Sequence, residues 1–159
     1  MEGPKKNKLE DLSADERSLL VHMGMQAETI EEYVLNINEK FPREQLLALE
    51  NILNESYDEF LPKLDTENLH QEFTNFKELL AVANQNLVVY LSEYFESFVN
   101  KEITLSKKEI KILYSDIEIA KNKTIPRLKK LGLNDSVDML EDSIIGLEIK
   151  LAYESGQEE

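Results

Sequence analysis

The sequence predicts an all-α protein, an elongated up-and-down bundle of five helices in one domain. Three observations support this fold class. Apolar residues recur every three or four positions almost throughout the 159 residues, which is the period of an amphipathic helix. The chain contains only five Gly and four Pro, and most of them lie where these periodic segments end. The connections between segments are short, which favours antiparallel neighbours.

The first two helices are predicted over residues 13–41 and 43–61. Ser13 and Glu16 have the spacing of a capping box, in which each side chain satisfies a backbone N–H at the helix start. Pro42 separates the two helices, because the residue before a proline avoids the helical conformation. Pro62 is expected to end the second helix near residue 61.

The third helix is predicted over residues 66–100, and its centre is unusual. Residues 79–92 contain no charged side chain. One face carries the apolar seam, and Val82, Gln85, Asn86 and Val89 lie roughly opposite. A helix that is apolar on both sides is usually central and buried, so a core helix wrapped by the other four is one interpretation. The other is that these four residues form an exposed partner-binding or self-association surface.

The last two helices are predicted over residues 106–131 and 134–154. Ser106 and Glu109 form a second capping box. Pro126 lies inside the apolar pattern of the fourth helix, so a kink or break is expected just before it. Gly132 suits the left-handed conformation that ends a helix.

The remaining residues are assigned to two tails. Residues 1–12 are expected to form a disordered N-terminal tail, and residues 155–159 a frayed acidic tail, which leaves residues 13–154 as the folded domain. No repeat with a period of 20–50 residues is visible, so a solenoid is not expected.

Charge is sorted along the chain. Residues 101–130 carry nine Lys/Arg against four Asp/Glu, while residues 9–100 carry five against 19, and the net charge is −14. An excess of negative charge argues against nucleic acid or an anionic membrane as a partner and favours a protein with a basic patch. The lysines are spread over most of the polar face of the fourth helix and do not form a narrow stripe. This spread favours a solvated face that lies beside acidic helices over a dedicated anion-binding site.

Acidic clusters are the second candidate surface. Glu55, Asp58 and Glu59 place like charges three and four residues apart on one helix, which is mildly destabilising. They are therefore candidates for contact with a basic partner. The acidic residues 135–142 are explained by their position in the first turns of the fifth helix, where carboxylates favour the helix dipole.

Catalytic and metal-binding motifs are not apparent. The chain has no Cys and two His, so thiolate zinc sites, iron–sulfur clusters and Cys nucleophiles are excluded. A carboxylate-bridged di-iron bundle needs two Glu-x-x-His pairs. Glu67 and His70 form one, but His22 has Leu19 three residues before it. No catalytic residue, cofactor or metal ligand is therefore predicted.

The sequence leads to a non-enzymatic protein-interaction module that acts through its helix faces, of the regulator, adaptor, immunity or inhibitor type. Its expected partner is another protein, for which a basic patch is one option, and a homo-oligomer is another option. The alternative is an acidic mimic or antagonist of nucleic acid that occupies a basic groove of a partner. A helical enzyme or small-molecule carrier is a third class. The absence of a signal segment or an apolar run of about 20 residues favours a cytoplasmic protein without a membrane span.

Overall fold

Five helical rods and no strands make up the described part of the chain, residues 12–37, 43–100 and 105–157 of a computed structural model. The all-α fold class with five helices is confirmed. The bounds are α1, Ala14–Asn36; α2, an α-helix Arg43–Glu55, a π-helical turn Ser56–Phe60 and an α-helix Leu61–Leu64; α3, His70–Val99, after a 3-10 turn Glu67–Leu69; α4, an α-helix Lys107–Ile119, a π-helical turn Ala120–Thr124 and an α-helix Ile125–Lys130; and α5, Asn134–Gln157.

Both predicted capping boxes are present. The Ser13 Oγ accepts a hydrogen bond from the Glu16 N–H at 3.1 Å, and the Ser106 Oγ accepts one from the Glu109 N–H at 3.1 Å. The ends of α1 and α5 differ from the prediction. α1 ends at Asn36, before the expected residue 41, and α5 continues to Gln157. Pro42 and residues 1–11 lie outside the described residues.

Prolines widen two helices and do not end them. Pro62 was expected to end the second helix, and this is wrong, because the helical path continues to Leu64. The Leu61 N–H bonds to the Ser56 carbonyl and the Ile125 N–H to the Ala120 carbonyl, in each case five residues earlier. This wider π-helical turn makes room for a proline ring that would otherwise press on the carbonyl four residues before it. The break expected before Pro126 takes the same form.

The helices form two layers. The Asn68 Nδ2, just before α3, donates to the Glu16 Oε2 of α1 at 3.5 Å. Further along both helices, Ile30 of α1 shares a groove with Ala83 of α3. These two helices therefore run parallel. α5 also runs parallel to α3 and packs on its other side. α1, α3 and α5 therefore lie side by side, which we call the three-helix layer. α2 and α4 form the second layer.

The core lies between the two layers. It contains the apolar seams of all five helices, with Phe95 and Leu87 of α3 fully buried. Tyr94 contacts the Phe95 and Phe98 rings, with centroids 5.6 and 5.3 Å apart. Leu12 also joins this core, although the sequence placed it in the N-terminal tail.

An internal repeat with an offset of 64 residues relates α2 and α3 to α4 and α5. The repeated helices begin at Arg43 and Lys107, and at His70 and Asn134, and each π-helical turn has its counterpart at the same offset. The segment Leu-Pro-Lys-Leu at 61–64 matches Ile-Pro-Arg-Leu at 125–128. Buried positions coincide as well: Leu46 and Ile110, Leu49 and Leu113, Leu53 and Ile117, Phe76 and Leu140, Leu80 and Ile144, Leu87 and Leu151. Its offset is longer than the 20–50 residues of solenoid repeats, so it is compatible with the absence of such a period.

Two glycines give a matched stability test. Gly132 has φ of 76°, where a Cβ is strained by roughly 1–2 kcal/mol. Gly24 lies inside α1 with nothing within 4 Å of an added Cβ, and alanine is the better helix former there by about 1 kcal/mol. We expect Gly132→Ala to lower the free energy of unfolding and Gly24→Ala to raise it, each by about 1 kcal/mol in urea denaturation. Shifts of the same sign would contradict this.

Candidate functional site

The three-helix layer carries most of the exposed apolar surface. Of the ten large apolar side chains exposed among the described residues, nine lie on α1, α3 or α5 and one on α4. Scattered exposed apolar residues are ordinary, but their concentration on one layer marks an interaction surface. The nine are Val21, Met25, Leu35, Val82, Val89, Met139, Ile145, Ile149 and Tyr153.

The uncharged centre of α3 faces outward. Val82 and Val89 are 57% and 41% exposed, Gln85 is exposed and Asn86 is half-buried. The interpretation of a core helix covered on all sides is therefore wrong. Because α3 lies between α1 and α5, its inner face supplies the core, and its outer face is the middle of the three-helix layer. The Asn86 Nδ2 donates to the Val82 carbonyl at 3.0 Å.

A groove between α1 and α3 has an apolar floor and a volume of about 160 Å³. Leu35, 80% exposed, forms part of one wall and Val82 part of the other, and Glu31 is the charged residue in the lining. Such a groove accepts an apolar side chain, and the carboxylate beside it favours a cation nearby. The complete lining is Ile30, Glu31, Val34, Leu35, Leu79, Val82, Ala83 and Asn86.

The predicted acidic cluster lies away from this groove, on the second layer. Glu55, Asp58 and Glu59 are exposed near the π-helical turn of α2. The Glu55 Oε1 accepts a hydrogen bond from the Gln26 Nε2 at 2.9 Å. The structure thus separates the two sets of predicted site residues, because Val82, Gln85, Asn86 and Val89 belong to the three-helix layer.

A polar cleft of about 230 Å³ lies between the two π-helical turns. Asp58 of α2 faces it together with Lys123 and Lys130 of α4. The Asp58 carboxylate of the acidic cluster therefore lies near two lysine side chains of the same chain. Elsewhere, Lys121 pairs with Glu148 of α5. The basic segment thus faces acidic helices at these two places, as expected, and Lys101 lies outside the described residues.

A buried ion pair forms beside this cleft. Arg127 and Glu50 are each 2% exposed, and the guanidinium Nη2 and Nη1 donate to the Glu50 carboxylate at 2.7 and 3.0 Å. Arg127 Nε donates to Asn84 Oδ1 at 2.8 Å, and the Thr124 hydroxyl donates to Glu50 at 2.7 Å. The network joins α2, α3 and α4. Charges buried this deeply require such partners.

A second network joins the same three helices nearer the start of α2. The Arg43 Nε donates to both Asp116 carboxylate oxygens at 3.1 and 3.0 Å, and its Nη2 donates to Oδ1 at 2.9 Å. The Tyr94 hydroxyl donates to Asp116 Oδ2 at 3.0 Å. Burial and the Asp116 carboxylate both raise the pKa of Tyr94. The hydrogen bond to Asp116 raises the pKa of Arg43. Tyr94 therefore stays neutral and Arg43 stays charged at neutral pH, and both serve as structural links between helices.

Sequence reasoning missed both networks, although one signal was available. The chain has three arginines against 15 lysines, and two of them, Arg43 and Arg127, are the ones held in these networks. Arginine is preferred in buried ion pairs because its planar group binds a carboxylate through two hydrogen bonds.

The described residues contain no cluster of three or more His, Cys, Asp or Glu that is arranged to hold a metal ion. No helix in this part of the chain is long and apolar enough to span a membrane. Comparisons of the chain with protein-family models, curated proteins and solved structures find no match.

Proposed function

We propose that this protein is a non-enzymatic interaction module whose three-helix layer binds another protein. In the part of the chain that the structure describes, nine of ten exposed large apolar side chains lie on this layer, which supports the proposal. Apolar side chains of the partner would enter the groove between α1 and α3, against Leu35 and Val82. Binding of this kind occludes or scaffolds the partner through a rigid helical surface.

Charge indicates the chemistry of the partner. Glu31 lines the groove, and Glu28, Glu32 and Glu78 are exposed on the same two helices. The whole chain carries a net charge of −14. A partner surface with apolar side chains surrounded by lysine or arginine complements this surface, since opposite charges steer the encounter and disfavour other partners.

The test is affinity capture from the native host with Val82→Glu and Val89→Glu. Both side chains are exposed, so the free energy of unfolding should change by no more than about 0.5 kcal/mol. A carboxylate in the apolar surface should reduce the amount of partner captured by about tenfold or more, because it would lose its water on binding. Tyr114→Glu, on the exposed surface of α4, is the matched control and should capture as the wild type does.

Two results would contradict the proposal. The first is a partner that all three variants retain equally. The second is a complex that depends on Glu55, Asp58 and Glu59 and dissociates steeply as salt rises, which would favour the nucleic-acid mimic.

A further inference from the structure

The polar cleft between the two π-helical turns has walls that come only from α2 and α4. Four of its eight lining residues belong to the turns themselves, because Tyr57 and Asp58 lie in the turn of α2 and Asn122 and Lys123 in the turn of α4. Single π-helical turns inside α-helices occur frequently at functional sites. The cleft is therefore a candidate binding site that is separate from the three-helix layer. Its complete lining is Asn54, Tyr57, Asp58, Asn122, Lys123, Pro126, Arg127 and Lys130.

The floor of the cleft is held in place by the buried ion pair. Arg127 lines the cleft but is 2% exposed, and its guanidinium is neutralised by Glu50. Its Nη1 also donates to the Asn54 Oδ1 at 3.4 Å, and the Asn54 Nδ2 donates to the Asp58 Oδ2 at 3.4 Å. Asn54 and Asp58 are thus oriented along the α2 wall in the free protein, which lowers the ordering cost of binding a ligand.

Two lysines of α4 determine the charge of the cleft. Lys123 and Lys130 lie about one helical turn before and after Arg127, and both line the cleft. Neither these lysines nor Asp58 form an ion pair with another described residue. Since Arg127 is neutralised by Glu50, two ammonium groups and one carboxylate remain, which gives a balance of +1. A positive cleft in a chain with a net charge of −14 attracts an anion more than its surroundings do.

The two walls of the cleft differ in hydrogen-bonding chemistry. The lysine ammonium groups of α4 only donate, and two of them at one cleft suit a phosphate group. The Asp58 carboxylate of α2 only accepts, and it repels an anion, so it suits hydroxyl groups next to the phosphate. Inorganic phosphate would leave the Asp58 acceptor unused, whereas an ester of phosphate with a polyol uses both walls.

The volume of the cleft limits the size of the ligand. About 230 Å³ is below the range of roughly 300–1,000 Å³ that is usual for pockets of drug-sized ligands. The ligand is therefore a short phosphorylated polyol and not a nucleotide that carries its base. The half-buried Tyr57 ring in the lining provides an apolar surface for the carbon atoms of such a ligand.

We propose that this cleft binds a small phosphorylated polyol, such as glycerol phosphate or a sugar monophosphate. The phosphate lies between Lys123 and Lys130, and the hydroxyl groups donate to the Asp58 carboxylate. Arg127 is a positioning residue, which acts on the α2 wall through Asn54. The inference is independent of the proposed function, because every residue in the cleft lining belongs to α2 or α4.

The test is isothermal titration calorimetry of the intact protein with glycerol phosphate at low ionic strength. We expect saturable binding at one site with a Kd of about 1 mM or below. Lys123→Gln and Lys130→Gln should each weaken binding by about tenfold, since each removes a charge-assisted hydrogen bond to the phosphate. Lys129→Gln is the matched control, because Lys129 is an exposed lysine of the same helix that does not line the cleft. Its Kd should stay within about twofold of the wild type, since solvent and salt screen the distant charge.

A further variant tests the contact with the hydroxyl groups. Asp58→Ala removes both the acceptor for the hydroxyl groups and a negative charge beside the phosphate. Inorganic phosphate should then bind at least as tightly as before, while the preference for glycerol phosphate over inorganic phosphate should fall by about tenfold. In NMR spectra, the side-chain amides of Asn54 and Asn122 should shift when glycerol phosphate is added. The amide of Asn86, in the groove between α1 and α3, should not shift.

Four outcomes would overturn the inference. The first is no saturable binding of glycerol phosphate. The second is inorganic phosphate that binds the wild type as tightly as glycerol phosphate does, which indicates an adventitious ion only. The third is an equal loss of affinity in Lys129→Gln and Lys130→Gln, which indicates general attraction to a basic helix. The fourth is tighter binding of single-stranded RNA through Lys123 and Lys130, which indicates a nucleic-acid surface. Capture of a protein partner tests the proposed function separately.

Discussion

Arg127→Met is expected to lower the free energy of unfolding by about 3–5 kcal/mol, because it leaves the Glu50 carboxylate buried without its countercharge. Glu50 is 2% exposed and receives two hydrogen bonds from this guanidinium. Asn84 Oδ1 would also lose the Arg127 Nε donor inside the core. Urea denaturation followed by circular dichroism measures the loss.

The double variant Glu50→Met with Arg127→Met is the control. Replacing both members of a buried ion pair by apolar residues of similar volume is often neutral or stabilising. The double variant should therefore recover a large part of the stability lost by Arg127→Met. A single variant that loses less than about 1 kcal/mol would indicate that the Glu50 carboxylate finds water or another partner.

Phe95→Ala is expected to lower the free energy of unfolding by about 3–5 kcal/mol. Its ring is fully buried at the centre of the core and contacts the Tyr94 ring. The variant loses this apolar burial and leaves a cavity that the surrounding helices fill only in part. A shift of the denaturation midpoint at constant m-value measures the effect.

Tyr114→Ala provides the comparison for this second result. Tyr114 is 42% exposed on α4, so its removal should cost much less than that of Phe95. Equal losses at the two positions would show that the core does not centre on α3.

Local features of the fold could be predicted from the sequence. The starts of α1 and α4 follow from Ser13 and Ser106, because a capping box depends only on residues three apart. The buried seams follow from helical periodicity, and Leu87 and Leu147 both lie on them. The effect of Pro62 could not be predicted in the same way, since a proline after a helical segment is compatible with an end, a kink or a widened turn.

Features that depend on neighbours could not be predicted. Glu50 and Arg127 are 77 residues apart in sequence, and their pairing requires α2 and α4 to be adjacent. The absence of charge over residues 79–92 was compatible with a buried or an exposed outer face, because the sequence does not reveal which sides of α3 its neighbouring helices cover. For the candidate surface, the sequence pattern identified Val82 and Val89 as candidates, but their exposure and their groove with Leu35 depend on how the neighbouring helices pack.

The buried ion pair also determines how far one repeat can move along the other. α2 and α4 are parallel and both present apolar seams that repeat about every turn, so a slide of one turn, about 5.4 Å, would again match apolar residues to apolar residues. After such a slide, the Arg127 guanidinium would no longer meet the Glu50 carboxylate. Two charges would then be buried apart from each other, which is strongly unfavourable. The pair therefore selects one register between the two halves of the chain.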